Sequence, residues 1–183
     1  MPPPLSPTTL GFPLSPVGKS VHIELFLDLV CPYSSKMFKT VYDSVLAAYG
    51  ERVSFVIHQV PQPWHPGGIY MHEVALAVRM TSPKAYPAVL RALVAAYDSG
   101  VCTDEHMWHK TRAEMYAELV AIAVGAGGDG DAAAALLVNN GHGVGCTQEL
   151  KWAIKLHRTR GVHVTPTVFV NGLEVPASER PPA

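Results

Sequence analysis

The tightest constraint on this chain is a junction near its start. An apolar run of strand length, Val21-His22-Ile23-Glu24-Leu25-Phe26-Leu27, is followed four residues later by Cys31-Pro32. Beyond it, Met37, Val41, Val45 and Ala48 recur at helical intervals, which predicts a helix from Tyr33 to Tyr49 with Gly50 as its stop. Val53-Ser54-Phe55-Val56-Ile57 then reads as a second buried strand. Strand, helix, strand is the pattern of a parallel βαβ unit, so the chain is committed early to an α/β sheet.

The end of the sequence supplies the rest of that sheet. Thr167-Val168-Phe169-Val170 reads as a strand, Asn171-Gly172 as a tight turn, and Leu173-Glu174-Val175 as the returning arm of a hairpin. Between the two halves, roughly residues 62–160, no strand is expected. Apolar residues there recur at helical spacing (Val74, Leu76, Val78; Val89, Leu90, Leu93, Val94; Met115, Leu119, Ile122). Pro66-Gly67, Pro83, Gly100 and Gly125–Gly130 punctuate them into separate helices, and Gly161 can end the last. The expected organisation is a proline-rich extended arm over 1–18, a domain over 19–176 with a helical insertion at about 62–160, and a tail at 177–183.

Composition narrows the classes of function. With 183 residues, 48% of them hydrophobic, the chain can bury one sizeable core. Charged residues are 16% and the formal net charge is −1, so there is no footprint for nucleic acid or anionic lipid. No apolar run has the length of a membrane span. Three cysteines, Cys31, Cys102 and Cys146, are an odd and widely spaced set that implies no disulfide framework. Residues 1–20 lack the apolar stretch of a signal peptide, so a cytoplasmic, reducing location is the expectation.

Cys31 stands where the first strand hands over to the first helix. A helix N-terminus presents unpaired amides and the positive end of the peptide dipoles, which together favour an anionic sulfur. Pro32 suits the first helical turn, where its missing donor is not needed. Against this stands the commoner fate of a lone cysteine, a small buried hydrophobe. The second element is Val164-Thr165-Pro166-Thr167, which puts a proline at a strand entrance, where the cis form costs little.

Together these segments resemble a known family. Asp28-Leu29-Val30-Cys31-Pro32-Tyr33-Ser34 looks like the D-x-x-C-P-[WYH]-C motif of DsbA-like proteins. Gly161-Val162-His163-Val164-Thr165-Pro166-Thr167, running on to Phe169-Val170-Asn171-Gly172, resembles their G-V-x-x-[TV]-P-T…F-x-N-G segment. The resemblance covers roughly residues 20 to 175. It implies a thioredoxin-like fold with a helical insertion and thiol–disulfide oxidoreductase activity. It also implies Cys31 as the attacking thiol and Pro166 as a cis-proline, with Pro32, Tyr33, Thr165 and Pro166 shaping the substrate groove.

One position departs from the family. Ser34 occupies the place of the second cysteine, so Cys31 can attack a disulfide but cannot close an internal bond. A monothiol site of this kind needs an external thiol for release, and glutathione is the candidate co-substrate; no other cofactor is required. The Ser34 hydroxyl is expected to donate to the Cys31 sulfur. The Pro32-Tyr33-Ser34 segment is also similar to the S-P-Y-S stretch of kappa-class glutathione transferases and 2-hydroxychromene-2-carboxylate isomerases. A glutathione-dependent transferase or isomerase is therefore one alternative, and a redox-inactive peptide-binding module is another. Expected partners are a thiol or disulfide protein, or glutathione.

Other motifs carry less. In Gln62-Pro63-Trp64-His65-Pro66-Gly67-Gly68, Trp64 can wall an apolar pocket and His65 can act as acid or base, although a rigid loop explains both. His72-Glu73 lacks the second histidine of a zinc helix, and His106 with His109 lacks completing ligands, so no metal site is expected. Gly125-Ala126-Gly127-Gly128-Asp129-Gly130 fits G-x-G-x-x-G but follows a helical pattern, which makes it an inter-helix loop. The residues after Val175 are too short and proline-rich for a covering helix. An exposed sheet face around Phe169 or Val168 is therefore expected, covered by the arm or a partner, or left bare by a truncated chain.

Overall fold

The computed structural model describes Ser6 and residues 10–175, and these form a mixed α/β structure with one five-stranded sheet. The chain divides into two compact units, one from Met1–Val60 with Trp152–Ala183 and the other Pro61–Lys151.

The first unit holds the sheet, whose strands are β1 (Phe12–Pro13), β2 (Val21–Leu27), β3 (Val53–Gln59), β4 (Thr167–Val170) and β5 (Leu173–Glu174). Their order is β1-β3-β2-β4-β5, with β2 and β3 parallel and every other pair antiparallel. The βαβ crossover read from the sequence accounts for the parallel pair, which runs in register from Val21 opposite Val53 to Leu27 opposite Gln59. The crossover is helical from Pro32 to Tyr49. It begins as α1 (Pro32–Thr40), widens into a π turn over Val41–Val45, and ends as α2 (Leu46–Tyr49).

Within the proline-rich arm, Phe12 and Pro13 add an edge strand to β3. Side chains secure what proline cannot donate: Ser15 Oγ donates to the Val53 carbonyl at 2.7 Å and accepts from the Phe55 amide at 2.8 Å. Gly11 is required there, since its φ is +92° and a Cβ would lie 2.6 Å from both the His58 ring and Val56.

The sheet face carrying Glu24, Phe26, His58 and Phe169 is covered. Phe26, Val60, Val162 and Phe169 form a buried cluster with Leu156 against it. The Arg160 guanidinium lies 4.2 Å from the centre of the Phe169 ring and binds the Glu24 carboxylate. The expectation of a bare face around Phe169 or Val168 is corrected at Phe169, which is buried, with residues of the last helix, α8 (Thr147–Thr159), and the turn after it covering the ring. Val168, pointing to the other face, is only partly buried. The tail at 177–183 lies outside the described residues.

The second unit is helical, with no strand among its described residues: α3 (Gly68–Thr81), α4 (Tyr86–Asp98), α5 (Asp104–Met107), α6 (Arg112–Gly125), α7 (Gly130–Leu136) and the start of α8. Most of the residues the periodicity picks out lie in its core, with Val74, Val89, Leu90, Leu93 and Leu119 fully buried, whereas Ile122 is only partly buried. Thr111 and Glu114 form a reciprocal capping box at the start of α6. Gly125–Gly130 joins α6 to α7, with no strand before it, so this glycine run is a helix connection.

Candidate functional site

The candidate site is built at the junction of β2 with α1 and at the entrance to β4. Cys31 is the N-cap of α1, in extended conformation (φ −103°, ψ 125°), and Pro32 is the first helical residue. The Cys31 carbonyl accepts the Ser35 amide at 2.9 Å, which starts the helix. No acidic residue lies in the first turn. The sulfur makes no capping hydrogen bond to the helix; its Sγ lies 3.5 Å from the Thr165 carbonyl oxygen and donates to it.

The loop that brings Thr165 there carries a cis Thr165–Pro166 peptide bond. Thr167 Oγ1 donates to the Val164 carbonyl at 2.8 Å and so ties the loop to the first residue of β4. β4 pairs with β2 through Phe26 opposite Thr167, so the two loops leave neighbouring strands side by side. Cys31 is buried, whereas Tyr33 and Val164 on either side of it are exposed.

Ser34 does not take the expected role. Its hydroxyl oxygen accepts the Asp28 amide at 3.3 Å, and no hydrogen bond joins it to the Cys31 sulfur. The reason is geometric: in the first turn of α1 the side chain at position 34 turns inward and is buried, facing the end of β2. Asp28, fully buried, completes the arrangement. Its carbonyl accepts the Cys31 amide at 3.2 Å and its Oδ1 accepts the Val30 amide at 3.2 Å. The sequence showed Asp28 only as a letter of the motif; its position three residues before the cysteine was the available signal.

Cys31, Pro32, Tyr33, Ser34, Thr165 and Pro166 all belong to the sheet unit. Trp64 and His65 belong to the helical unit, where their rings meet edge to face at 6.1 Å with Trp64 exposed. Cys102 and Cys146 are free, buried thiols of that same unit. Burial pushes each of them up to about 12, helped by Glu118 at Cys102 and by Glu73 at Cys146. Cys146 is further engaged, with Sγ donating to the Glu73 carbonyl at 3.3 Å.

Two charged clusters escaped the sequence reading because their members are far apart in the chain. In the sheet unit, Glu24 Oε1 lies 3.0 Å from His58 Nε2 while Arg160 reaches both carboxylate oxygens. The His58 and Arg160 bonds outweigh burial and hold the Glu24 carboxyl down at about 2. In the helical unit, buried Glu73 accepts from Arg112 Nη2 at 2.7 Å and from the Tyr116 hydroxyl. Burial and the Glu73 bond raise the Tyr116 phenol far above its usual range. Among the described residues no group of three His, Cys, Asp or Glu is placed to hold a metal ion, and no helix is long and apolar enough to cross a membrane.

Cys31 at the strand-to-helix junction and the cis-proline loop lie together, and the comparisons identify the fold that holds them. The sequence matches the family model described as Thioredoxin over residues 18–182, and the chain belongs to that family. Solved structures share the fold. A protein-disulfide isomerase candidate from Pseudomonas syringae is 23% identical, with a TM-score of 0.73 over 91% of this chain and 89% of that one. The thiol-disulfide exchange protein alpha-DsbA2 from Wolbachia pipientis is 18% identical (TM-score 0.65; 90% and 77% covered). MdbA, a thiol-disulfide oxidoreductase from Actinomyces oris, is 15% identical (TM-score 0.67; 87% and 74%). The fold is therefore that of DsbA-like members of the thioredoxin family, as the two motifs imply. No curated protein matches the sequence.

Proposed function

We propose that this protein carries out thiol–disulfide exchange through Cys31 as its single reactive thiol. The observation that supports it is the placement of Cys31 at the N-cap of α1 with its sulfur against the Thr165 carbonyl, and with serine at the resolving position. The Cys31 sulfur, as thiolate, attacks one sulfur of a substrate disulfide. A new S–S bond forms, the substrate S–S bond breaks, and the departing sulfur leaves as a thiolate that takes up a proton. A second thiol, as thiolate, then attacks the substrate sulfur of the mixed disulfide: a new S–S bond joins it to the substrate, the bond to Cys31 breaks, and Cys31 leaves as its thiolate. Ser34 cannot supply that second thiol, so an external one such as glutathione does.

Turnover of a disulfide-bridged peptide in the presence of reduced glutathione tests the reading. Exchange that is saturable and lost in Cys31→Ser is expected. Glutathione conjugation of an electrophile without disulfide turnover would favour a transferase, and an inert Cys31 would favour a binding module.

A further inference from the structure

Three backbone and side-chain groups of Asp28 are bonded to three different residues of the turn that carries Cys31. Its amide donates to Ser34 Oγ, its carbonyl accepts from Cys31, and its carboxylate accepts from Val30. Asp28 is fully buried and Ser34 nearly so, so water cannot replace these bonds without the turn opening. The bonds span both sides of the cysteine: residue 30 before it, residue 34 after it, and the Cys31 amide itself. A seven-residue segment that would otherwise pivot between strand and helix is closed into one shape.

Resting on the reading of Cys31 as the exchanging thiol, we propose that Asp28 and Ser34 are positioning residues that aim its sulfur at the Thr165 loop. Ser34 is then a built part of the turn, and its contribution is an acceptor for the Asp28 amide. Exchange needs the three sulfurs nearly in line, so small displacements of Cys31 are costly to it. Alkylation by a small reagent has no such demand, and a loosened turn exposes the buried sulfur to it. The two reactions therefore respond in opposite senses to loss of the clasp, whereas general destabilisation moves them together.

The experiment measures, in the full chain, the rate of Cys31 alkylation by iodoacetamide and the rate of its exchange with a short disulfide-bridged peptide. Asp28→Ala and Ser34→Ala are expected to lower the exchange-to-alkylation ratio about tenfold or more. Asp28→Asn keeps an acceptor oxygen for the Val30 amide and is expected to stay within about threefold of wild type. An unchanged ratio in both alanine variants overturns the proposal while leaving Cys31 as the exchanging thiol. Wild-type protein that alkylates but does not exchange overturns the underlying reading instead. Amide hydrogen exchange of the wild type gives an arm that needs no variant to fold. Slow exchange at Asp28, Val30 and Cys31 is expected, and fast exchange at all three contradicts the clasp.

Discussion

The Cys31 sulfur and the Thr165 carbonyl oxygen lie 3.5 Å apart although 134 positions separate them in the chain. The pairing of β2 with β4 creates that proximity, because Cys31 follows the end of one strand and Thr165 precedes the start of the other. The sheet topology thus makes the site, and the motifs only populate it.

The first prediction concerns the three thiols. Burial pushes Cys102 and Cys146 up to about 12, so at pH 8 each carries far less thiolate than an ordinary cysteine. Native protein treated briefly with iodoacetamide should carry its label on Cys31, and unfolded protein on all three. Equal labelling of the native thiols, read by peptide mass spectrometry, would contradict this.

A second prediction is an acid-labile contribution at Glu24. Its carboxyl sits at about 2 in the folded protein, against 4.5 when free, because His58 and Arg160 favour the charged form. The folded state therefore holds fewer protons, and the stabilisation is fully present above pH 4.5. It is lost as pH falls through the folded value, by up to about 3 kcal/mol. Denaturant titrations from pH 6 to 2 should show that slope in wild type and a shallower one in Glu24→Gln. Parallel curves would rule it out.

In the helical unit, Arg112→Met should cost about 2–3 kcal/mol, because it leaves the buried Glu73 carboxylate with the Tyr116 hydroxyl but no cation. The half-exposed guanidinium sets the lower end of that range. Equilibrium denaturation measures it, and a loss below about 0.5 kcal/mol would mean that water replaces the arginine.

The arm gives a fourth test. Gly11→Ala forces a Cβ into the His58 ring from a left-handed backbone, so it should loosen the edge strand. The Phe55 amide, bonded to Ser15 Oγ, should then exchange at least about tenfold faster, while amides of β2 keep their protection. Unchanged exchange at Phe55 would show that the arm is held elsewhere.

How much of this was legible depends on range. β2, the crossover helix, β3 and the β4–β5 hairpin could be read because each announces itself locally, by apolar runs, helical spacing and the Asn171-Gly172 turn. Cys31 and the Thr165–Pro166 loop could be picked out as two compact motifs, and the structure brings them into contact. The β1 edge was not, since Phe12 and Pro13 gain their strand character only from β3. The cover over Phe169 was missed for a similar reason. Arg160 looks like a helix-terminal cation, and only the fold puts it across the ring and onto Glu24. The bond from the Asp28 amide to Ser34 was not legible, because the motif suggests Cys31 as the partner of Ser34 and gives no sign that residue 28 folds back onto it.

The central claim is that Cys31 exchanges alone. Intact-mass and peptide mass spectrometry of protein treated with limiting oxidised glutathione measures this directly. One glutathione on Cys31, removed by excess reduced thiol, with Cys102 and Cys146 unmodified, is the predicted result. A bond from Cys31 to Cys102 or Cys146, or glutathione spread evenly over all three, would contradict it.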